Sequence, residues 1–207
     1  MALEKYKKKR DFKETTEPKG GKSIDKNLIF VVQKHSASHL HYDFRLELKG
    51  VLVSWAVPKG PSMNPEDKRL AMMVEDHPFD YRDFEGIIPK GNYGAGEVIV
   101  WDTGIYIPEG GTTSKKENEK IMYGMLSKGD VKIVLLGKKL KGEFAVVKMK
   151  GAKENNSWLL IKKNDEYATD ADILKKDKSV KSNLTIEKLK NKNADREKKK
   201  RTQRKIS

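Results

Sequence analysis

Residues Leu40–Leu48 (LHYDFRLEL) alternate apolar and polar side chains without a break. Successive side chains on a strand leave on opposite faces, so this segment can be little other than a half-buried strand. Lys49-Gly50 makes a short turn into Val51–Val57 (VLVSWAV), and the two runs read as a β-hairpin. Leu28–Lys34, Arg69–Glu75, Glu97–Trp101, Ile121–Leu126, Val131–Leu136, Glu143–Met149 and Trp158–Ile161 give further expected strands. Pro58, Pro61, Pro65, Pro78 and Pro89, with many glycines, punctuate the gaps. Glu109–Lys120 (EGGTTSKKENEK) reads as a polar, mobile loop. With no heptads, no fixed-period repeat and no long amphipathic helix in the core, the expected fold is mainly β, a barrel or a sandwich with Gly/Pro-rich loops.

The charge has a distribution that bears on function. The chain of 207 residues carries 44 Lys+Arg against 30 Asp+Glu, a net charge of +14. Residues 1–30 hold 9 basic and 5 acidic groups, residues 31–173 hold 21 of each, and residues 174–207 hold 14 and 4. A neutral core with all three Trp and all four His is therefore flanked by basic arms. The expected organisation is a basic N-terminal arm (1–27), a mainly β domain (28–173) and a basic tail (174–207). The tail is too poor in apolar residues for a core of its own; it reads as flexible or partly helical, with a short helix over Thr185–Lys190, and suits phosphate-backbone tethering. The absence of cysteine excludes a disulfide scaffold, thiolate metal sites and a Cys nucleophile. No apolar run approaches the ~18 residues of a membrane span, and the start lacks a signal-peptide core, so a cytoplasmic protein is expected.

Three of the four histidines fall within His35–His41. On the alternating strand, Leu40, Tyr42, Phe44, Leu46 and Leu48 share one face, and His41, Asp43, Arg45, Glu47 and Lys49 share the other. Neighbours on that face stand about 7 Å apart, a gap that ligands can close around one ion if their side chains lean together. With His35 joining from the preceding loop, where Ser36-Ala37-Ser38 allows a turn, two imidazoles and one carboxylate form a shell suited to Mn²⁺, Fe²⁺ or Zn²⁺. Arg45 beyond it suits a phosphate, which its fork can bind through two charge-assisted bonds. The bland alternative is a set of polar groups on a solvated sheet face. His39 has the same parity but sits at the loop edge and stands outside the set.

Other segments carry less. Gly91–Gly96 (GNYGAG) looks like a phosphate-cradling loop, yet it leads into a strand rather than a helix, so tight turn packing is the better account. His77, at the end of a strand in Glu75-Asp76-His77-Pro78, is a candidate acid or phosphate donor. No spacing supports a Ser-His-Asp triad, and the paired His-x-Ser/Thr motifs of a 2H phosphoesterase are missing.

Three longer stretches are more specific: QKHSASHLHYDFRLELKGVLVSWAVPKGP, KRLAMMVEDHPFDYRDFEG and IPKGNYGAGEVIVWDTG. Together with the Arg10-Asp11-Phe12…Thr16-Glu17-Pro18 opening, they resemble the 3′-phosphoesterase domain of bacterial DNA ligase D and its stand-alone versions. The likeness runs from about Arg10 to about Lys163, roughly three-quarters of the chain, and the lack of ligase or primase segments suggests a free-standing member.

That resemblance implies a β-barrel whose concave surface holds a Mn²⁺-dependent site, with Co²⁺ or Zn²⁺ as other candidate ions. It implies trimming of DNA or RNA–DNA primer-template 3′ ends. A phosphodiesterase step removes a terminal ribonucleoside, a phosphomonoesterase step removes the 3′-phosphate, and a 3′-hydroxyl is left for a repair polymerase or DNA ligase in end joining. By the same resemblance His35, His41 and Asp43 are the metal ligands, Arg45 and His77 hold the scissile phosphate, and Tyr81 is an essential tyrosine. Lys59 and Arg69 match positions that matter for the phosphomonoesterase step. Arg10, Asp11 and Glu17 match contributors from the arm, and Gln33 and Glu75 are expected to support the site. Position 39 is often Arg in relatives, and the basic tail has no matching counterpart. The implied setting is cytoplasmic and nucleoid-associated. Two rivals are a non-catalytic nucleic-acid end-binding module and a cupin-like small-molecule metalloenzyme that would need His39 as a ligand.

Overall fold

The alternating segment and its hairpin partner form where the pattern puts them. In a computed structural model, which describes residues 3–206 and, within the last helix, only the side chains through Asp195 and at Gln203, the hairpin strands span Leu40–Leu48 and Val51–Val57. In chain order the elements are α1 (Glu4–Lys8), β1 (Ile29–Ser36), β2 (Leu40–Leu48), β3 (Val51–Val57), β4 (Lys68–Met73), β5 (His77–Pro78), a 3₁₀ turn (Phe79–Asp83) and β6 (Gly86–Ile88). They continue with β7 (Gly96–Pro108), α2 (Lys115–Lys128), β8 (Asp130–Gly137), β9 (Lys141–Lys148), β10 (Ser157–Lys162), a second 3₁₀ turn (Ile173–Lys175) and α3 (Ile186–Ile206).

Eight strands close into an antiparallel barrel in the order β1-β2-β3-β4-β10-β9-β8-β7, with β7 returning to β1. Short β5 and β6 attach outside this ring, to β3 and β7. The interior is apolar: Phe30, Phe44, Trp55, Trp101, Phe144 and Leu160 are among the buried side chains that fill it. Tyr42, Phe44, Leu46 and Leu48 point into it, as the alternation requires, while Leu40 at the strand end is exposed.

The opposite face of the hairpin is not solvated. Asp43, Arg45 and Glu47 on β2 are all buried, because a second apolar layer lies outside the barrel wall. Ile29, Val31, Leu52, Val98 and Val100 of the wall pack there against Phe79, Tyr81, Phe84 and Ile88 from residues 77–88 and against Tyr6 of α1. The functional face is thus a sandwich between the barrel wall and a covering segment, and the reading of a solvated polar face does not hold. The N-terminal arm belongs to that cover: Tyr6 is fully buried and its hydroxyl donates to the Pro18 carbonyl at 2.6 Å.

The expected strand Ile121–Leu126 and mobile loop Glu109–Lys120 are corrected by α2. Ser114 caps this helix by accepting from the Glu117 backbone N–H, Gly129 ends it in the left-handed conformation, and Met122, Met125 and Leu126 pack on the barrel core. The spacing of those three side chains is helical, which six consecutive largely apolar letters had concealed. Beyond Ile173 the chain stays on the barrel: the Trp101 indole donates to the Lys176 carbonyl at 2.8 Å, and Val180 packs on the outer layer. The short helix expected at Thr185–Lys190 is longer, running over Ile186–Ile206. Among the described residues no helix is long and apolar enough to cross a membrane.

Candidate metal and phosphate site

The barrel register builds the site. In the β1–β2 pair His35 lies opposite His41 and Gln33 opposite Asp43, so two imidazoles and a carboxylate meet on the outer wall at the open end of the hairpin. Candidate ligand atoms from His35, His41 and Asp43 all lie within 4.8 Å of one another, and the group excludes His39, whose side chain is exposed. That exclusion removes the ligand a cupin-like reading requires.

Hydrogen bonds fix which nitrogen of each ring faces inward. His35 donates from Nε2 to the Gly94 carbonyl at 2.9 Å, and His41 donates from Nδ1 to the His39 carbonyl at 2.9 Å. A carbonyl can only accept, so each neutral ring keeps its lone pair on the other nitrogen. Those nitrogens face Asp43, with His35 Nδ1 3.4 Å from Oδ2 and His41 Nε2 3.7 Å from Oδ1. Three acceptors converge with no donor between them, which a cation reconciles. Asp43 stays ionised: burial pushes its carboxyl up, but the Arg45 guanidinium beside it holds it well below the usual carboxylate range. The donor set therefore fits a divalent ion of the nitrogen- and oxygen-binding type.

Gly91–Gly96 serves this site through its backbone. Gly94 supplies the carbonyl that orients His35, and a Cβ at Gly96 would fall 2.1 Å from the Ser36 carbonyl oxygen. The glycine permits β7 to close on β1 beside His35.

Arg45 sits deeper and is held on three sides. Its Nε donates to Gln33 Oε1 at 2.8 Å, Nη1 to Ser54 Oγ at 2.8 Å, and Nη2 to Asp43 Oδ2 at 3.1 Å. Its guanidinium lies 5.0 Å from the centre of the Tyr81 ring. Gln33 also donates to the carbonyls of Tyr81 and Phe84, which ties the barrel wall to the covering segment. Two of the five N–H groups on Arg45 remain for an anion.

The arm closes the cavity from above. Arg10 donates from Nε to Glu17 Oε1 at 2.8 Å and from Nη1 to Glu75 Oε1 at 3.3 Å, and its Nη2 lies 3.2 Å from His77 Nε2. Glu17 also accepts from the Tyr81 hydroxyl at 2.9 Å and from Thr15. His77 Nδ1 donates to the Glu75 carbonyl at 2.9 Å, so Nε2 carries the lone pair and accepts from Arg10. Burial, Arg45 and Arg10 push the His77 imidazole well below its ordinary pKa, and burial and Glu17 push the Tyr81 phenol well above its own. At neutral pH His77 is an uncharged base and Tyr81 an un-ionised donor.

A cavity of about 180 Å³ brings together Arg10, His35, His41, Asp43, Arg45, Glu75, His77 and Tyr81. Several expected site residues lie off it. Asp11 is exposed and accepts from the Lys13 backbone N–H, shaping the arm's turn; Glu17 and Gln33 stand behind Arg10 and Arg45. Lys59 is exposed after β3, and Arg69, with the parity of core-facing Ala71, pairs with Asp67 at 2.9 Å. The sequence reading missed Ser54, Tyr6, Lys9 and Tyr93. Ser54 had a signal: it is the polar interruption in VLVSWAV, and the hairpin register sets it opposite Arg45. The others are brought in by tertiary packing with no local mark.

Comparison with known proteins places this wall in a family. A sequence model of the DNA Ligase D 3′-phosphoesterase domain matches residues 33–148. The multifunctional non-homologous end joining protein LigD of Pseudomonas aeruginosa is 47% identical over 173 residues, which cover 82% of this chain and 19% of that protein. The protein of the same name from Mycolicibacterium smegmatis is 41% identical over 167 residues, covering 79% of this chain and 21% of that protein. A LigD from Mycobacterium tuberculosis is 43% identical over 152 residues, covering 72% and 18%. The chain thus spans about a fifth of the length of these relatives. Since the matched span takes in more than half of the chain, His35, His41 and Asp43 among it, the chain belongs to the DNA ligase D 3′-phosphoesterase domain family.

Proposed function

We propose that this protein is a divalent-metal-dependent phosphoesterase that heals DNA 3′ ends, removing a terminal ribonucleoside and then the remaining 3′-phosphate to leave a 3′-hydroxyl. The observation that carries this reading is the convergence of His35 Nδ1, His41 Nε2 and the Asp43 carboxylate beside a buried Arg45, in one cavity with Arg10 and His77. A divalent ion held there, Mn²⁺ in our reading with Co²⁺ and Zn²⁺ as alternatives, would neutralise non-bridging phosphate oxygens and acidify a nearby water.

The protein's own groups supply the rest. Arg45 presents its two free N–H groups to the phosphate and shares the charge that grows in the transition state. His77 Nε2, kept unprotonated by its surroundings, takes a proton at that atom and returns it to the leaving oxygen. For this, Arg10 turns from His77 to the phosphate, a short move for a guanidinium already anchored by Glu17. Tyr81 keeps its proton, braces Glu17 and lies against Arg45, which holds both cations in place. The relatives' names place them in non-homologous end joining. In our reading the substrate is a primer-template 3′ end, and the product passes to a repair polymerase and a DNA ligase.

A time course on a duplex primer with one 3′-terminal ribonucleotide tests the order of steps. The 3′-phosphate product should rise and then fall as the 3′-hydroxyl product accumulates. A primer that stays full-length in the presence of Mn²⁺ would refute the reading.

A further inference from the structure

The small cavity opens into a larger groove, and the two share Val74, Glu75 and Tyr93 as lining. The groove has a volume of about 690 Å³. One wall is α1, which contributes Lys5, followed by Lys9; the other is the end of β9, with exposed Lys148, and the approach to β10. Met73 and Trp158 form its apolar floor. Tyr93 stands at the junction with half its surface exposed, and Lys9 Nζ lies 4.3 Å from its ring centre. Of the two carboxylates in the groove, Glu75 is paired with Lys9 and Arg10, and burial and Glu75 push the Asp76 carboxyl up against the opposing field of Lys5.

Two lysine-bearing walls, an apolar floor and an exposed aromatic at the mouth of a phosphate site are the elements of a single-strand nucleic-acid groove. We propose that this groove holds the nucleotides that precede the 3′ end, with Lys5 and Lys148 on their phosphates and Tyr93 stacked on a base. The proposal rests on the 3′-end reading above. The departing ribonucleoside is the other candidate occupant, but it carries no phosphate and leaves both lysine walls without a partner. The strand upstream of the scissile bond carries one phosphate per nucleotide and matches them.

The test is fluorescence anisotropy of a primer with a single-stranded 3′ tail, measured over a salt series. In the Lys5→Ala/Lys148→Ala double variant the slope of log K against log salt should shrink by roughly 1.4, about 0.7 for each phosphate that no lysine now neutralises. Lys132→Ala, which lies outside the groove, should leave the slope unchanged. Tyr93→Ala should weaken binding roughly 5- to 150-fold, and Tyr93→Phe should restore it. An unchanged slope in the double variant, or an equal drop with Lys132→Ala, overturns the proposal. If those variants trim ends normally while the slope stays unchanged, the groove assignment fails and the enzymatic reading stands. If binding follows the expected pattern but the wild-type protein never trims an end, the groove stands and the enzymatic reading fails.

Discussion

Nη2 of Arg10 lies 3.2 Å from Nε2 of His77, two side chains that are 67 positions apart in the chain. A guanidinium donates and never accepts, so this contact requires His77 to offer its lone pair there. Burial, Arg45 and Arg10 then keep the ring neutral. The proton therefore resides on Nδ1, bonded to the Glu75 carbonyl.

This fixes the sign of one pH effect. Because the folded pKa of His77 is depressed, the unfolded chain binds a proton first as pH falls below about 6.5. His77 thus lowers stability progressively below that pH, by at most about 1.4 kcal/mol per pH unit. Urea midpoints measured from pH 7 to pH 5 should fall in the wild type, and His77→Gln should flatten that fall. ¹⁵N spectra should show the Nδ1–H tautomer; an Nε2–H ring, or an ordinary titration, would contradict the assignment.

Glu17 joins the arm to the covering segment. It is buried and accepts from Arg10, Thr15 and Tyr81. Glu17→Ala breaks the buried Arg10–Glu17 pair and leaves the guanidinium only its longer bond to Glu75, and the expected loss is about 3–5 kcal/mol in urea unfolding. Tyr81→Phe removes a single hydrogen bond and should cost about 1–2 kcal/mol. Equal, small losses for both variants would argue that the arm does not close the cavity.

Gly96→Ala tests the link between barrel closure and the metal site. The added carbon would meet the Ser36 carbonyl oxygen at 2.1 Å, at a backbone φ of 145°. The strain, of order 1–3 kcal/mol or more, falls on the β1–β7 pairing beside His35. Calorimetry should show weaker Mn²⁺ binding together with lower stability; unchanged metal affinity would detach the glycine from the site.

The same packing bears on how much the letters alone revealed. The strand Leu40–Leu48 and its hairpin were legible because period-two alternation and a Lys-Gly turn act over a few residues. Parity on that strand put His41 and Asp43 on one face, whereas His35, expected from the preceding loop, stands on β1 opposite His41. The helix Lys115–Lys128 was not read, although Ser114, Glu117 and Gly129 mark its ends, since Ile121–Leu126 mimics a buried strand. The clasp of Arg10, Glu17 and Tyr81 had no local signature, since Glu17 and Tyr81 are 64 positions apart and only the folded wall brings them together.

The tail divides at Ile186. Residues 174–185 lie on the barrel, whereas the span 186–207 carries ten basic and three acidic side chains. Deleting 186–207 should weaken DNA binding and flatten its salt dependence while the turnover of bound substrate stays unchanged. Deleting from 174 should also lower stability, because it removes Leu174, Val180 and the Trp101–Lys176 bond. Unaltered affinity at low salt in the shorter deletion would show that the basic helix does not touch DNA.

The central claim is that His35, His41 and Asp43 hold the ion that makes 3′-end hydrolysis possible. Its most direct test is trimming of a 3′-ribonucleotide primer by wild type and His41→Ala, each with Mn²⁺ and with chelator. Trimming by the wild type with Mn²⁺ alone, and a loss of at least about 100-fold in the variant, is the predicted result. Trimming that survives the chelator, or full activity in His41→Ala, would contradict it.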